Sequence, residues 1–305
     1  MIIVVCAVEG IMPQTETVIR QALKEKVKPV LFINKVDRLI AELQVTPEDM
    51  MQRFGKIITE VNKLISRIVP AEFKKEWMVD AQAGTVAFGS AYHNWATSLP
   101  FMAKKNVNFK QIYEFMEKEQ KRELAQAAPL HEVLLDMIVE KLPSADDAQK
   151  YRIPHIWRGE AEEDIGQAMV NADGKGDSAF MVTKVVLDPH AGEIAVGRLF
   201  SGSIKKGDQM YVAGMPNANR VQSVGMFVGG DRIATETVTA GNIIAVSGLR
   251  DAQSGSTISS NKEMTPFERI VHNSDPVVTT AIEAKHTKDL PKLVEVLRAV
   301  AKSDP

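Results

Sequence analysis

The stretch PVLFINKVD, residues 29–37, decides the fold class of this chain. Its apolar part, residues 30–33, is uninterrupted and predicts a strand that ends at Asn34. The polar residues Asn34, Lys35 and Asp37 follow at once. They would stand at the strand end, where the crevice of an open α/β sheet binds its ligand. The stretch therefore predicts a strand that leads into a binding site.

The segments on either side of this stretch support the same fold class. Residues 2–8, IIVVCAV, form an earlier apolar run, which is typical of a parallel strand that is covered on both faces. Pro13 opens an amphipathic helical pattern between the two runs. This strand, helix, strand succession predicts a doubly wound α/β domain. Thr46 then precedes a long amphipathic pattern over residues 47–68, which predicts a capped helix.

The spacing of the polar residues suits the recognition of guanine. A carboxylate at Asp37 can accept two parallel hydrogen bonds, from the ring N–H and from the exocyclic amine, which adenine cannot supply. Asn34 either bonds the carbonyl edge of the base or braces neighbouring loops, and the Lys35 stem can lie along the base. Asn-Lys-any-Asp alone is a weak motif, expected by chance in about a few per cent of such chains.

A second strand end strengthens the prediction. TVAFGS, residues 85–90, indicates a third strand, and Gly89, Ser90 and Ala91 form a small-residue turn at its carboxyl end. Such a turn can offer a backbone N–H to the carbonyl oxygen of guanine. Two strand-end loops that meet at one base are much less frequent by accident than one motif.

The pattern of hydrophobic residues changes after residue 178. Short apolar runs alternate with turn clusters such as SGSIKKGD, which predicts a small closed β-barrel. After residue 265 a linker leads to one more predicted strand, residues 276–284, and one more helix, residues 289–302. Since one strand and one helix cannot bury a core, we expect the chain to stop within a third domain.

These motifs resemble those of the translational GTPases, specifically the archaeal and eukaryotic type of elongation factor two. NKVD at 34–37, GSAYHNWA at 89–96 and CAVEGIMPQTETVIRQAL at 6–23 carry the resemblance in the first part of the chain. Residues 184–208 are similar to the second-domain barrel of that family, and residues 274–284 to the opening of its third domain. The resemblance covers essentially the whole chain.

The resemblance implies a multidomain α/β plus all-β fold. It places part of a doubly wound P-loop GTPase domain at 1–172, a translation-factor β-barrel at 173–265, and a linker with the start of an α+β domain at 266–305. It implies that Asn34, Lys35 and Asp37 recognise the base and that Ser90 and Ala91 close over it.

The resemblance also implies a function. The chain would be a fragment of a ribosome-dependent GTPase that promotes translocation in polypeptide elongation. The intact protein would bind GTP or GDP with Mg²⁺, and would contact ribosomal RNA and ribosomal proteins in the cytoplasm.

The phosphate-binding half of such a site is absent from the sequence. A phosphate loop needs G-x-x-x-x-G-K-[ST] at a strand-to-helix turn, and no segment fits. DGKGDS at 173–178 lacks the spacing and indicates an interdomain linker. We therefore expect no catalytic residue and no metal ligand here, and an isolated chain that is inactive as a GTPase. A non-catalytic module that binds the ribosome or a factor is the alternative.

Composition excludes several other classes. The net charge of −2 gives no broad attraction for nucleic acid, and the single cysteine, Cys6, excludes a disulfide scaffold. The first residues lack a basic segment, so neither secretion nor membrane insertion is predicted. Six histidines without metal-ligand spacing favour surface or packing roles. The run at 2–8 is expected to be an exposed apolar sheet edge, which predicts self-association.

Overall fold

The computed structural model describes residues 1–105, 108–188, 192–268 and 278–303. The chain forms two compact units, residues 1–143 and residues 144–305. Within the described ranges, no helix has the length and apolar character that crossing a membrane requires.

The first unit is built on a four-stranded sheet in the order β1-β2-β3-β4. β1, β2 and β3 run parallel and β4 is antiparallel to β3. The strands are β1 Ile2–Cys6, β2 Val30–Asn34, β3 Val86–Ser90 and β4 Trp95–Thr97. The helices are α1 Pro13–Lys24, α2 Val36–Ala41, α3 Pro47–Ile68, α4 Ala71–Trp77, α5 Leu99–Lys105, α6 Phe109–Glu117, α7 Lys121–Ala127 and α8 Leu130–Lys141.

The burial of the strands follows from their sequences. The apolar residues of β2 are fully buried between two neighbouring strands. β1 pairs with β2 alone among the described strands and lies at the sheet edge. Ile3 and Val5 are buried, whereas Val4 is 52% exposed. The edge therefore presents an apolar side chain to solvent, and β1 is not covered on both faces.

The long helix α3 begins where its sequence predicts. The Thr46 hydroxyl accepts a hydrogen bond from the Asp49 N–H at 3.2 Å, which satisfies one of the free N–H groups of the first turn. The apolar residues of the 47–68 pattern form one buried face: Met50, Phe54, Ile57, Val61, Leu64 and Ile65. This face covers the sheet beneath the loops that follow β2 and β3.

The second unit is mainly antiparallel sheet. Eight strands are ordered β11-β10-β13-β6-β5-β14-β8-β9, and β7 pairs with β12 in a separate ribbon. The strands are β5 Ala179–Asp188, β6 Gly192–Ser201, β7 Ser203–Lys205, β8 Gln209–Val212, β9 Ala218–Arg220, β10 Ser223–Val228, β11 Asp231–Thr235, β12 Thr237–Thr239, β13 Ile243–Ser247 and β14 Thr257–Ser259.

One apolar core joins these strands. Phe180 of β5, Leu199 of β6 and Ile258 of β14 are buried in it. Ile204 and Val238, from the β7–β12 ribbon, belong to the same core. The strands therefore wrap around a shared interior, which agrees with the barrel-type domain predicted from the alternating runs.

The described residues of the second unit also form the α-helices α9 Ala145–Ile156, α10 Asp164–Val170 and α11 Leu290–Ser303, and a short 3-10 helix at Thr287–Asp289. The side-chain amide of Gln149 on α9 donates hydrogen bonds to the Met169 and Phe200 carbonyls, the latter at 2.9 Å. These contacts join α9 to α10 and β6. The domain boundary predicted after residue 172 stays a prediction, since the compact units divide at residue 143.

The predicted strand at 276–284 is not found. Residues 276 and 277 lie outside the described residues, and 278–284 carry no strand assignment and are mostly exposed. No described strand pairs with this segment. An apolar, β-branched run becomes a strand only when a neighbour satisfies its N–H and C=O groups.

Candidate functional site

A half-open pocket of about 500 Å³ lies at the carboxyl ends of β2 and β3. It is formed by the turn into α2, the turn between β3 and β4, and the helices α6 and α7. Its lining residues are Asn34, Lys35, Asp37, Arg38, Ala41, Glu42, Ser90, Tyr92, His93, Met116 and Lys121. Four of the five predicted site residues are therefore in one place, and Ala91 lies directly beside them.

Asn34 holds the two strand-end loops together. Its side-chain oxygen accepts hydrogen bonds from the Lys35 N–H at 2.8 Å and from the Ala91 N–H at 3.0 Å. Of the two roles open for Asn34, bracing the loops is the one that these contacts support. The Ala91 N–H is occupied by this bond, so it is not free for a base carbonyl.

The turn from β2 into α2 is short and strained. Lys35 is the only residue between the two elements, and its φ of 63° and ψ of 34° place it in the left-handed region. A lysine adopts this conformation only at a cost in free energy, because its Cβ crowds the backbone. Such strain concentrates at functional sites. Here it places Asp37 in the first turn of α2, facing the pocket.

Asp37 carries an unused acceptor. Its side chain is only 16% exposed, and Oδ1 is buried without a hydrogen-bond partner among the described residues. Oδ2 lies 3.7 Å from Nε2 of His93. Buried polar atoms are nearly always bonded, so this oxygen can accept a hydrogen bond from a further donor. An N–H donor such as the edge of guanine fits this requirement.

The loop after β3 is firmly held. Ser90 is 1% exposed, and its hydroxyl accepts a hydrogen bond from the His93 N–H at 3.3 Å. Trp95, at the start of β4, is buried and pairs with Ser90. Gly89 allows the close approach of β4, since an added Cβ would lie 2.7 Å from Ala96 Cα. This side of the pocket is thus fixed before any ligand binds.

The rim of the pocket carries charges that the sequence analysis did not include. Arg38 donates to Glu42 at 2.9 Å, and this hydrogen bond together with the Glu42 charge raises the pKa of Arg38 further above its ordinary value. The spacing of four residues on α2 was a usable signal for this pair. Met116 and Lys121 come from α6 and α7, about 80 residues later, and no local pattern marks them.

The glycine-containing segment before β5 lies outside this pocket's lining. DGKGDS at 173–178 forms bends that lead into β5, where Asp173 accepts from the Lys175 N–H at 2.9 Å. In the described ranges, no three His, Cys, Asp or Glu side chains are placed to hold a metal ion together. The pocket at the ends of β2 and β3 offers Asp37 as a hydrogen-bond acceptor.

Comparison with known proteins agrees with this geometry. Residues 1–144 match the sequence model of the elongation factor Tu GTP binding domain, and residues 192–259 match that of elongation factor Tu domain 2. Elongation factor 2 of Picrophilus torridus is 59% identical over 304 residues, covering 100% of this chain and 41% of the relative.

Two further relatives extend the agreement. Elongation factor 2 of Methanocaldococcus jannaschii is 56% identical, covering 100% of this chain and 42% of its own length. Elongation factor 2 of Thermococcus gammatolerans is 58% identical, and the match covers 100% of this chain and 41% of that relative. The chain thus spans about two fifths of the length of the curated relatives that it matches. Two domain models match successive parts of the chain, and the relatives are similar to it along its whole length. This chain therefore belongs to the elongation factor 2 family of translational GTPases.

Proposed function

We propose that this chain supplies the guanine-recognition loops and the barrel of a ribosome-dependent GTPase that promotes translocation during polypeptide elongation. The observation that carries the proposal is the buried, unpartnered Oδ1 of Asp37 in a pocket at two strand ends. Asp37 recognises the N–H edge of guanine, Lys35 covers one face of the base, and Asn34 keeps the loops of Ser90 and Ala91 in register.

The phosphates and Mg²⁺ are held elsewhere in this proposal. Bound GTP supplies the phosphate chemistry, and the intact protein works in the cytoplasm with ribosomal RNA and ribosomal proteins as partners. Because this sequence has no phosphate-loop motif, the chain by itself contributes the selection of the base and no hydrolysis. The second candidate is a non-catalytic module that binds the ribosome or a factor.

Titration with nucleosides tests the guanine site. We expect the ¹⁵N-labelled chain to bind guanosine and GDP with a dissociation constant of about 1 mM, or −4 kcal/mol, and to show shifts at the Asn34–Asp37 and Ser90–His93 amides. Adenosine at the same concentration should leave these signals unchanged. Micromolar binding of GDP would mean that this chain also binds the phosphates. If adenosine bound as tightly as guanosine, the proposal of a guanine site would be contradicted.

Cosedimentation with ribosomes separates the two candidates. A chain with a working guanine site should change its ribosome binding when millimolar GDP is added, and the change should disappear in Asp37→Ala. A simple binding module should sediment with ribosomes to the same extent with or without GDP, in both forms.

A second copy of this chain is a further proposed partner, through β1. An unpaired edge strand offers free N–H and C=O groups to another strand, and the half-exposed Val4 adds apolar surface. We expect concentration-dependent self-association in analytical ultracentrifugation. Val4→Lys should reduce it, because an exposed lysine on an edge opposes strand pairing. Monodisperse monomers of the unaltered chain at all concentrations would contradict the proposal.

A further inference from the structure

His93 occupies an unexpected place beside the base-recognising carboxylate. It follows β3 in the turn to β4, and its side chain is 19% exposed. Its Nε2 lies 3.7 Å from Asp37 Oδ2, and its backbone N–H is fixed by the Ser90 hydroxyl at 3.3 Å. The backbone of His93 is therefore tied to the end of β3, and the imidazole lies close to Asp37. This contact with a carboxylate comes in addition to the packing role expected for the histidines.

The other charged side chains that line the pocket do not pair with Asp37, and His93 does. Arg38 is turned toward Glu42 on the same helix, at 2.9 Å. Lys35 at the start of α2 and Lys121 of α7 line the pocket, but neither forms an ion pair with Asp37. Among the described residues, His93 is the one basic side chain within 4 Å of this carboxylate.

The distance of 3.7 Å is longer than a hydrogen bond but short enough for attraction between charges. Imidazole is the side chain that ordinarily changes its charge between pH 5 and pH 8. A protonated imidazole presents an N–H on both nitrogens, so Nε2 would donate to Oδ2 after a shift of less than 1 Å. Oδ2 is also the oxygen that guanine needs for the second bond of its fork.

We propose that His93 is a positioning residue whose charge sets the affinity of the pocket for guanine. Neutral His93 with its proton on Nδ1 leaves both oxygens of Asp37 to the two N–H groups of the base. Protonated His93 pairs with Oδ2, draws the carboxylate toward the β3–β4 turn and reduces the charge that strengthens the guanine bonds. Guanine binding thus weakens as the pH falls. The inference rests on the proposed guanine site.

The test is a pH profile of guanosine binding by the whole chain, measured by NMR between pH 5.5 and pH 8, a range in which guanosine keeps its charge. The unaltered chain should lose roughly threefold to tenfold in affinity toward pH 5.5. His93→Gln keeps a polar side chain of similar reach without a titrating charge, and its profile should be flat. His131→Gln, which alters an exposed histidine of α8, is the matched control and should keep the pH dependence.

The outcomes distinguish this inference from the guanine site itself. The role of His93 would be overturned by any of three results: a flat pH profile in the unaltered chain, tighter binding at low pH, or an unchanged slope in His93→Gln. A preference for guanosine over adenosine at pH 8 would still support the guanine site. Equal binding of guanosine and adenosine at pH 8 would overturn both.

Discussion

Replacing Asp37 with asparagine should reverse the base preference of the pocket from guanine to xanthine. The carboxylate accepts from both N–H groups of guanine, whereas an asparagine amide accepts with its oxygen and donates with its nitrogen. Xanthine has a carbonyl where guanine has its exocyclic amine, so the amide N–H finds an acceptor. With guanine, the same N–H would face another N–H. Losing one charge-assisted bond should weaken guanosine binding by roughly tenfold to a hundredfold.

Competition between guanosine and xanthosine measures this reversal, in this chain or in a longer form that contains it. Glu42→Gln is the matched control, because it removes a carboxylate from the rim of the same pocket without touching the base-recognising position. It should leave the preference for guanosine intact. An unchanged preference in Asp37→Asn would show that Asp37 does not contact the base, and Oδ1 would then need another explanation.

The largest effect on stability is expected from Gly197→Ala. Gly197 lies in β6 opposite Val182 of β5, next to the register shift between Val182 and Lys184. An added Cβ would overlap the Met181 carbonyl oxygen and would lie 2.9 Å from Val182 Cα. Both atoms belong to backbone, so the overlap is relieved only if two central strands move apart. We expect a loss of about 3 kcal/mol or more in the free energy of unfolding.

Gly230→Ala provides the control for this prediction. Gly230 lies in the turn between β10 and β11, has no atom within 4 Å of an added Cβ, and does not require a positive φ. Its replacement should change the free energy of unfolding by less than about 0.5 kcal/mol. Urea unfolding followed by circular dichroism compares the two variants, and amide exchange in β5 and β6 locates the damage. Similar stabilities for both would mean that the β5–β6 pair can adjust at little cost.

Much of the fold could be predicted from the sequence, because the strongest patterns are local. The apolar run of β2, the capped helix α3 and the alternating strands of the second unit each carry their own signal. The prediction that failed concerns a segment whose structure depends on a neighbouring strand. Residues 278–284 have strand-like residues but no described neighbour to pair with.

The sequence predicted the site residues that directly follow strands. It did not predict the contacts between residues that are far apart in the chain. Asn34, Lys35, Asp37 and Ser90 follow strands directly, so the sheet delivers them to one edge. Ala91 contributes through Asn34 and does not line the pocket. His93 was predicted as a surface or packing residue, because its closeness to Asp37 arises only when two loops, 56 residues apart, are braced together.

The late position of β14 in the chain has a consequence for biosynthesis, because β14 joins β5 to β8 in the eight-stranded sheet. β5 pairs with β14 through Phe180 and Ile258, so its partner leaves the ribosome about 78 residues later. At roughly 5–20 residues per second, the Phe180 edge stays open for about 4–16 s in each round of synthesis. Until the short segment Thr257–Ser259 arrives, the nascent barrel exposes the interior it will later bury. Slow codons or a stall before that point would lengthen the period in which a chaperone must protect it.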